Sequence, residues 1–224
     1  MKTSTIVLSV AALVAGVGGL AAWHHMPCSS CGLSAPAVVV TTVANPAPAE
    51  DAKAYTVDPV HSAVLFSIKH MGVSNFHGRF NDFSGSFLLN ADDASKSSFN
   101  VTVKSDSVDT NNAAREKHLK TADFFSTAEF PEITFSAKSV KKTGDHAFEV
   151  VGDMTMLGKT KPVTATVHQI GTGKAPAQMG GGELMGVETT FTIKRSDFGM
   201  SFGIDNGALS DEVQMTVALE GKRK

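Results

Sequence analysis

From residue 63 onward, apolar and polar residues alternate in pairs. Val64, Phe66, Ile68 and His70 fall on one parity; Ala63, Leu65, Ser67, Lys69 and Met71 fall on the other. Successive side chains of a strand point to opposite faces, so this run predicts a strand. Met71-Gly72, with polar Ser74-Asn75 after it, marks a break before the next one. There Phe76, Gly78 and Phe80 share a parity against His77, Arg79 and Asn81. After a step near Asp82, Phe83, Gly85, Phe87 and Leu89 alternate with Ser84, Ser86 and Leu88. Glycines in such runs predict bends or bulges, which a closed sheet needs at its corners. On the apolar parity, Gly78, Gly85 and Gly152 are also expected to leave interior room.

The same period returns along the chain. Phe99, Val101 and Val103 oppose Asn100, Thr102 and Lys104. Thr110-Asn111-Asn112 then offers an N-cap to Ala113–Lys120, a run of mostly good helix formers, and one short helix is expected before Phe130-Pro131. Phe124 and Phe125 are expected to pack it, or the next turn, against one end of the sheet. Strands resume at Ile133, Phe135 and Ala137, turn at Thr143-Gly144-Asp145, and continue through Phe148, Val150, Gly152, Met154 and Met156. Leu157-Gly158-Lys159 turns the chain into Val163, Ala165 and Val167; residues 171–182 read as a glycine-rich loop. Val187, Thr189, Phe191 and Ile193 form a further face, and Val213, Met215, Val217 and Leu219 the last. About eight antiparallel strands with one helix predict an all-β fold, either barrel or sandwich.

Several of these pieces also occur as a set. Asp58-x-x-His61-Ser62, Phe66-x-Ile68-x-His70-Met71-Gly72-Val73-Ser74 and Gly78-x-Phe80 open it. His118-Leu119 with Asp123-Phe124-Phe125, Pro131-x-Ile133-Thr134-Phe135, Gly152-Asp153-Met154-Thr155, Lys161-Pro162-Val163 and Arg195-x-Asp197-Phe198-Gly199-Met200 follow. In order and spacing, from roughly residue 55 to residue 219, this resembles the YceI-like family, also called polyisoprenoid-binding or lipid-binding. The resemblance implies an extended lipocalin-like antiparallel β-barrel of about eight strands with one or two short helices, holding a long isoprenoid chain. It favours barrel over sandwich.

Pattern alone leaves the interior open between a packed core and a ligand cavity, since barrels of this size can be filled or hollow. Met154, Met156 and Met215 on the inner parity would adapt to a flexible apolar partner. With the resemblance, the expected lining is Phe66, Ile68, Val101, Val103, Phe135, Phe148, Met154, Phe191 and Met215. His70, at the loop end of its strand, and nearby Arg79 are candidates for a ligand's polar end, Arg79 through charge-assisted bonds to a phosphate. The expected activity is non-enzymatic carriage or storage of an isoprenoid lipid of quinone or polyprenyl phosphate type, with no cofactor.

Other chemistry is weakly supported. His61, His70, His77 and His118 show no metal-binding motif such as H-E-x-x-H, and no strand-turn-helix elbow surrounds Ser62 beside Asp58 and His61. Asp58 and His61 are expected to satisfy backbone groups where the chain enters its first long strand. A net charge of -2 and a pI near 6.4 argue against a nucleic-acid partner. Fourteen Phe against one Trp and one Tyr suit an apolar interior with few polar handles.

The N-terminal stretch differs from the rest. Lys2 precedes an apolar run from Ile6 to Ala22, so residues 1–22 read as a signal peptide or, over residues 3–22, as a membrane tether. Either places the domain outside the cytoplasm, in a periplasmic or similar compartment. Residues 23–54 read as a flexible Ala/Pro-rich linker, and residues 55–224 as the barrel domain. The linker holds Cys28-Ser29-Ser30-Cys31 behind His24 and His25, which carries the alternative reading of a redox or metal-binding protein. Homodimerisation stays open.

Overall fold

The computed structural model describes residues 54–223; the signal, tether, linker and Cys/His expectations lie outside the described residues. The elements run β1 (Tyr55–Val57), β2 (Ala63–His70), β3 (Ser74–Phe80), β4 (Phe83–Leu88), β5 (Ser98–Lys104), β6 (Val108–Asp109), α1 (Ala113–Leu119), β7 (Glu132–Lys142), β8 (Ala147–Met156), β9 (Lys159–Lys174), β10 (Glu183–Lys194) and β11 (Leu209–Arg223). Every pairing is antiparallel.

These pieces form one closed eight-stranded barrel, because three of its staves are bent. β1 and β2 are two halves of one stave, broken at Asp58–Ser62, and both pair with β11. β3 and β4 form the second and β5 and β6 the third. β1 closes the ring at one end by bonding β4 as well as β11, and β3 closes it towards the other by bonding β6. Breaks in the long strands let a twisted sheet curl shut without leaving an edge exposed.

Turn chemistry sets the connections. Leu157 and Gly158 both have positive φ, 52° and 68°, as a two-residue hairpin turn between strands of right-handed twist requires. Residues 171–174, expected in a loop, extend β9: Gly171 pairs with Gly186 and Gly173 with Leu184. The ladder there is held by backbone bonds, which glycine makes as well as any residue.

The inward parities supply the core, from Val64 on β2 round to Leu219 on β11. Gly78 and Gly152 do not leave open room. A Cβ on Gly78 would meet the Phe66 ring at 2.3 Å, and one on Gly152 the Phe135 ring at 2.5 Å. The two glycines are recesses filled by the rings of neighbouring strands.

Candidate functional site

Inside the barrel lies a cavity of about 560 Å³, within the range of roughly 300–1,000 Å³ typical of small-molecule sites. Its wall is built from inward positions of β2, β3, β5, β7, β8, β9, β10 and β11. Phe66, Ile68, Val101, Val103, Phe135, Met154, Phe191 and Met215 all line it, and His70 does too.

Phe148 and Arg79 stand elsewhere. Phe148 is fully buried but outside the lining, at the β1 end of the barrel with Tyr55 and Phe87. Tyr55 stacks on Phe87 at 5.5 Å between ring centroids, and Phe87 on Phe99 at 5.8 Å. That end is packed solid, so the interior is not hollow along its whole length. Arg79 is on the polar parity of β3 and exposed, and its Nε donates to Asp109 Oδ2 at 3.2 Å. Asn81 donates to the same oxygen; these bonds, with one from the Asn111 N–H, hold the Asp109 carboxyl down at about 2. The pair fastens β3 to β6.

At the opposite end the lining turns polar and exposed: His70, Ser74 and Asn75 around the β2–β3 hairpin, Arg115 and His118 on α1, and Phe202 before β11. This is the mouth. The short helix carrying two of these groups is fixed by its first turn. Asn112 Oδ1 caps the Arg115 N–H at 3.0 Å, while Glu116 accepts from the N–H groups of Thr110 and Asn112 at 2.8 and 3.0 Å. Those backbone bonds lower the pKa of Glu116. Arg115 and His118, three apart, then share a face. The Arg115 guanidinium lies 4.2 Å from the Phe76 ring centroid, with Nε on Thr110 Oγ1 at 3.0 Å and Nη2 on the Thr110 carbonyl at 2.7 Å. His118 bonds Asp123 through Nε2 at 2.8 Å and meets the Phe124 and Phe202 rings edge-on.

A second cation, Arg195, sits in the cavity wall and is buried. It donates from Nε to the Ser210 carbonyl and from Nη1 to that of Phe202, both at 2.8 Å, with longer bonds to Met200 and Leu209. Burial lowers its pKa, opposed by the charge of Asp211. Its bonds pin the β10–β11 connection, including Phe202, across the mouth.

The corner between β1 and β2 holds the described residues' one grouping of metal-type donors, Asp58, His61 and Glu220, within 4.8 Å of one another. Asp58 Oδ1 accepts the Val60 N–H at 2.9 Å and Oδ2 meets His61 Nδ1 at 2.9 Å; Ser62 Oγ accepts the Glu220 N–H at 2.9 Å. The Ser62 bond ties the corner to β11; Asp58 satisfies a backbone N–H as expected, whereas the His61 ring bonds the Asp58 carboxylate and not the backbone.

Comparison with known proteins agrees with this architecture. A family model described as a YceI-like domain matches residues 55–221. The chain belongs to the YceI-like family. "Protein YceI" of Escherichia coli O157:H7 is 42% identical over 161 residues, covering 72% of this chain and 81% of that protein. Among solved structures, BcnA of Burkholderia cenocepacia aligns with a TM-score of 0.65 at 25% identity, covering 73% of this chain and 98% of BcnA. A polyisoprenoid binding domain from Saccharophagus degradans shares the fold at a TM-score of 0.58 and 16% identity, over 76% of this chain and 98% of that one.

Within this YceI-like barrel, the expected lining residues all stand in the wall except Phe148, and the expectation left out Arg115, His118, Arg195 and Phe202, as well as Phe76, whose parity pointed inward. Arg115 and His118 sit on a helix whose composition reads as solvated. Their shared face was available from the Asn112 cap and the three-residue spacing, but its direction was not. Arg195 opens the Arg195-x-Asp197-Phe198-Gly199-Met200 run, and its carbonyl partners lie up to fifteen positions away.

Proposed function

We propose that this domain binds a long isoprenoid-type lipid, tail inward, and carries or stores it without catalysing a reaction. The observation that carries this reading is the cavity: apolar along its walls, packed shut at the Tyr55–Phe87–Phe148 end, and open at a polar mouth. Burying a five-carbon isoprene unit is worth about 3 to 4 kcal/mol gross, from roughly 0.8 kcal/mol per CH₂. A few units therefore outweigh the cost of ordering the tail and of association. The polyisoprenoid binding domain of the same fold supports this ligand class. The apolar run at residues 6–22 supports a place outside the cytoplasm, by export or by a membrane tether.

Organic extraction of the purified protein, followed by mass spectrometry, tests the reading directly, and a long-chain isoprenoid in the extract is expected. Added isoprenoid alcohols of rising length should bind with rising affinity until the cavity is full. No extractable lipid, together with no binding at any length, refutes it.

A further inference from the structure

The charged side chains that line the cavity are Arg115, Arg195 and Glu188. Arg195 is buried, and its guanidinium is committed to carbonyls of the chain that it pins. Glu188 lies on β10, opposite His168 of β9. Arg115 alone of the three stands at the mouth. Its Nε and one Nη2 hydrogen are bonded to Thr110, but among the described residues Nη1 has no hydrogen bond and no carboxylate pairs with the group. The neighbouring acid, Glu116, is turned to the backbone N–H groups of the helix cap. Thr110 and the Phe76 ring hold the guanidinium in place, so little side-chain freedom remains to be lost when it binds.

A fixed cation with unused donors, at the end of an apolar cavity, is built for an anion. We propose that the lipid this domain takes ends in an anionic group, phosphate or carboxylate, and that Arg115 binds it at the mouth. The inference rests on the lipid-binding reading and narrows it: a neutral quinone or alcohol gains nothing comparable from a charged fork. His70, which also lines the mouth, adds a second donor on the β2–β3 side.

The test uses the full chain and three probes with one tail: geranylgeraniol, geranylgeranic acid and geranylgeranyl phosphate, each titrated against a bound fluorescent polyene fatty acid. The parent protein is expected to prefer at least one anion to the alcohol by about tenfold or more, and the stronger of the two identifies the headgroup. Arg115→Gln should remove most of that preference while lowering affinity for the alcohol much less. Arg115→Lys, which keeps the charge but loses the fork, should restore part of it. Thermal unfolding of each variant confirms that it is folded.

Equal affinity for all three probes in the parent overturns the anionic headgroup and leaves lipid binding standing. Equal losses for anion and alcohol in Arg115→Gln overturn the role of Arg115. If neither the polyene nor any of the three probes binds, lipid binding and this inference fall together.

Discussion

The two ends of the barrel are made from the same alternating pattern, yet one is solid and the other hollow. At the β1 end, rings meet rings: Phe87 stacks between Tyr55 and Phe99 and is wholly buried. Nearer the middle, rings meet glycines: Phe66 covers Gly78 and Phe135 covers Gly152. Phe87 also sits over a glycine, Gly221, so a vacant Cβ does not by itself leave space. What differs is the stacking: Tyr55, Phe87 and Phe99 lie ring on ring and fill the bore at the β1 end, while Phe66 and Phe135 stand in the cavity wall.

The sharpest break in this contrast is Phe87→Ala. It opens a hole in a close-packed end and should cost about 3–5 kcal/mol in denaturant unfolding. Phe191→Ala, in the cavity wall, should cost clearly less; equal costs would mean that the two ends are packed alike. Next comes Gly78→Ala. Its Cβ would push Phe66 off its seat, costing about 1–3 kcal/mol by overpacking and driving the ring into the cavity. Loss of probe binding together with the stability loss is the expected result, and unchanged binding would show that the ring moves elsewhere.

Val103→Trp sharpens the same point with a smaller effect on stability. Val103 lines the cavity, so the indole should take ligand space, abolishing binding while unfolding changes by less than about 1 kcal/mol. A penalty in the usual overpacking range of roughly 1–3 kcal/mol would mean that the middle is packed after all.

The smallest expected effects are those of pH, and they separate the two regions by direction. At the β1–β2 corner, hydrogen bonding to Asp58 raises the pKa of His61 above 6.5, and the bond to His61 lowers that of Asp58 below 3.8. A raised His pKa gives stability that is present below 6.5 and lost as pH climbs through the folded value. A lowered Asp pKa gives stability that is present above 3.8 and lost as pH falls. The corner should hold best between those limits. Asp109, beside the helix of the mouth, has only the acid limb: its contribution, whole above 3.8, is lost as pH falls towards about 2. Amide protection factors, which correct for the intrinsic rise of exchange with pH, should therefore fall at Val60 and Glu220 on going from pH 6 to pH 8, an effect removed by His61→Ala, while that of Asn111 is unchanged. An equal fall at Asn111 would contradict this assignment.

Much of the fold was legible because strand periodicity and turn chemistry are local. The alternation at Val64–Ile68, the turn at Leu157-Gly158 and the Asn112-capped helix all appear where their residues place them. Depth along the barrel was not legible. Phe148 and Met154 share a parity on one strand, and only the strand's height decides that one packs the closed end and the other lines the cavity. Arg79 carries a different lesson. Its parity, shared with His77 and Asn81, already pointed outward, and nearness in sequence to His70 was a poor substitute for that. The glycines misled for a related reason, since an absent side chain is visible in a sequence but the ring that occupies its place belongs to another strand.

The stacked rings at Phe87 also give the barrel a single door. On the lipid-binding reading proposed above, a tail would stop against them, so the first carbon to enter would be the last to leave and the head would never pass through. Entry and exit would then share one face, in reverse order. A chain longer than the bore would keep its head outside, which makes the depth of this floor the ruler that selects for length.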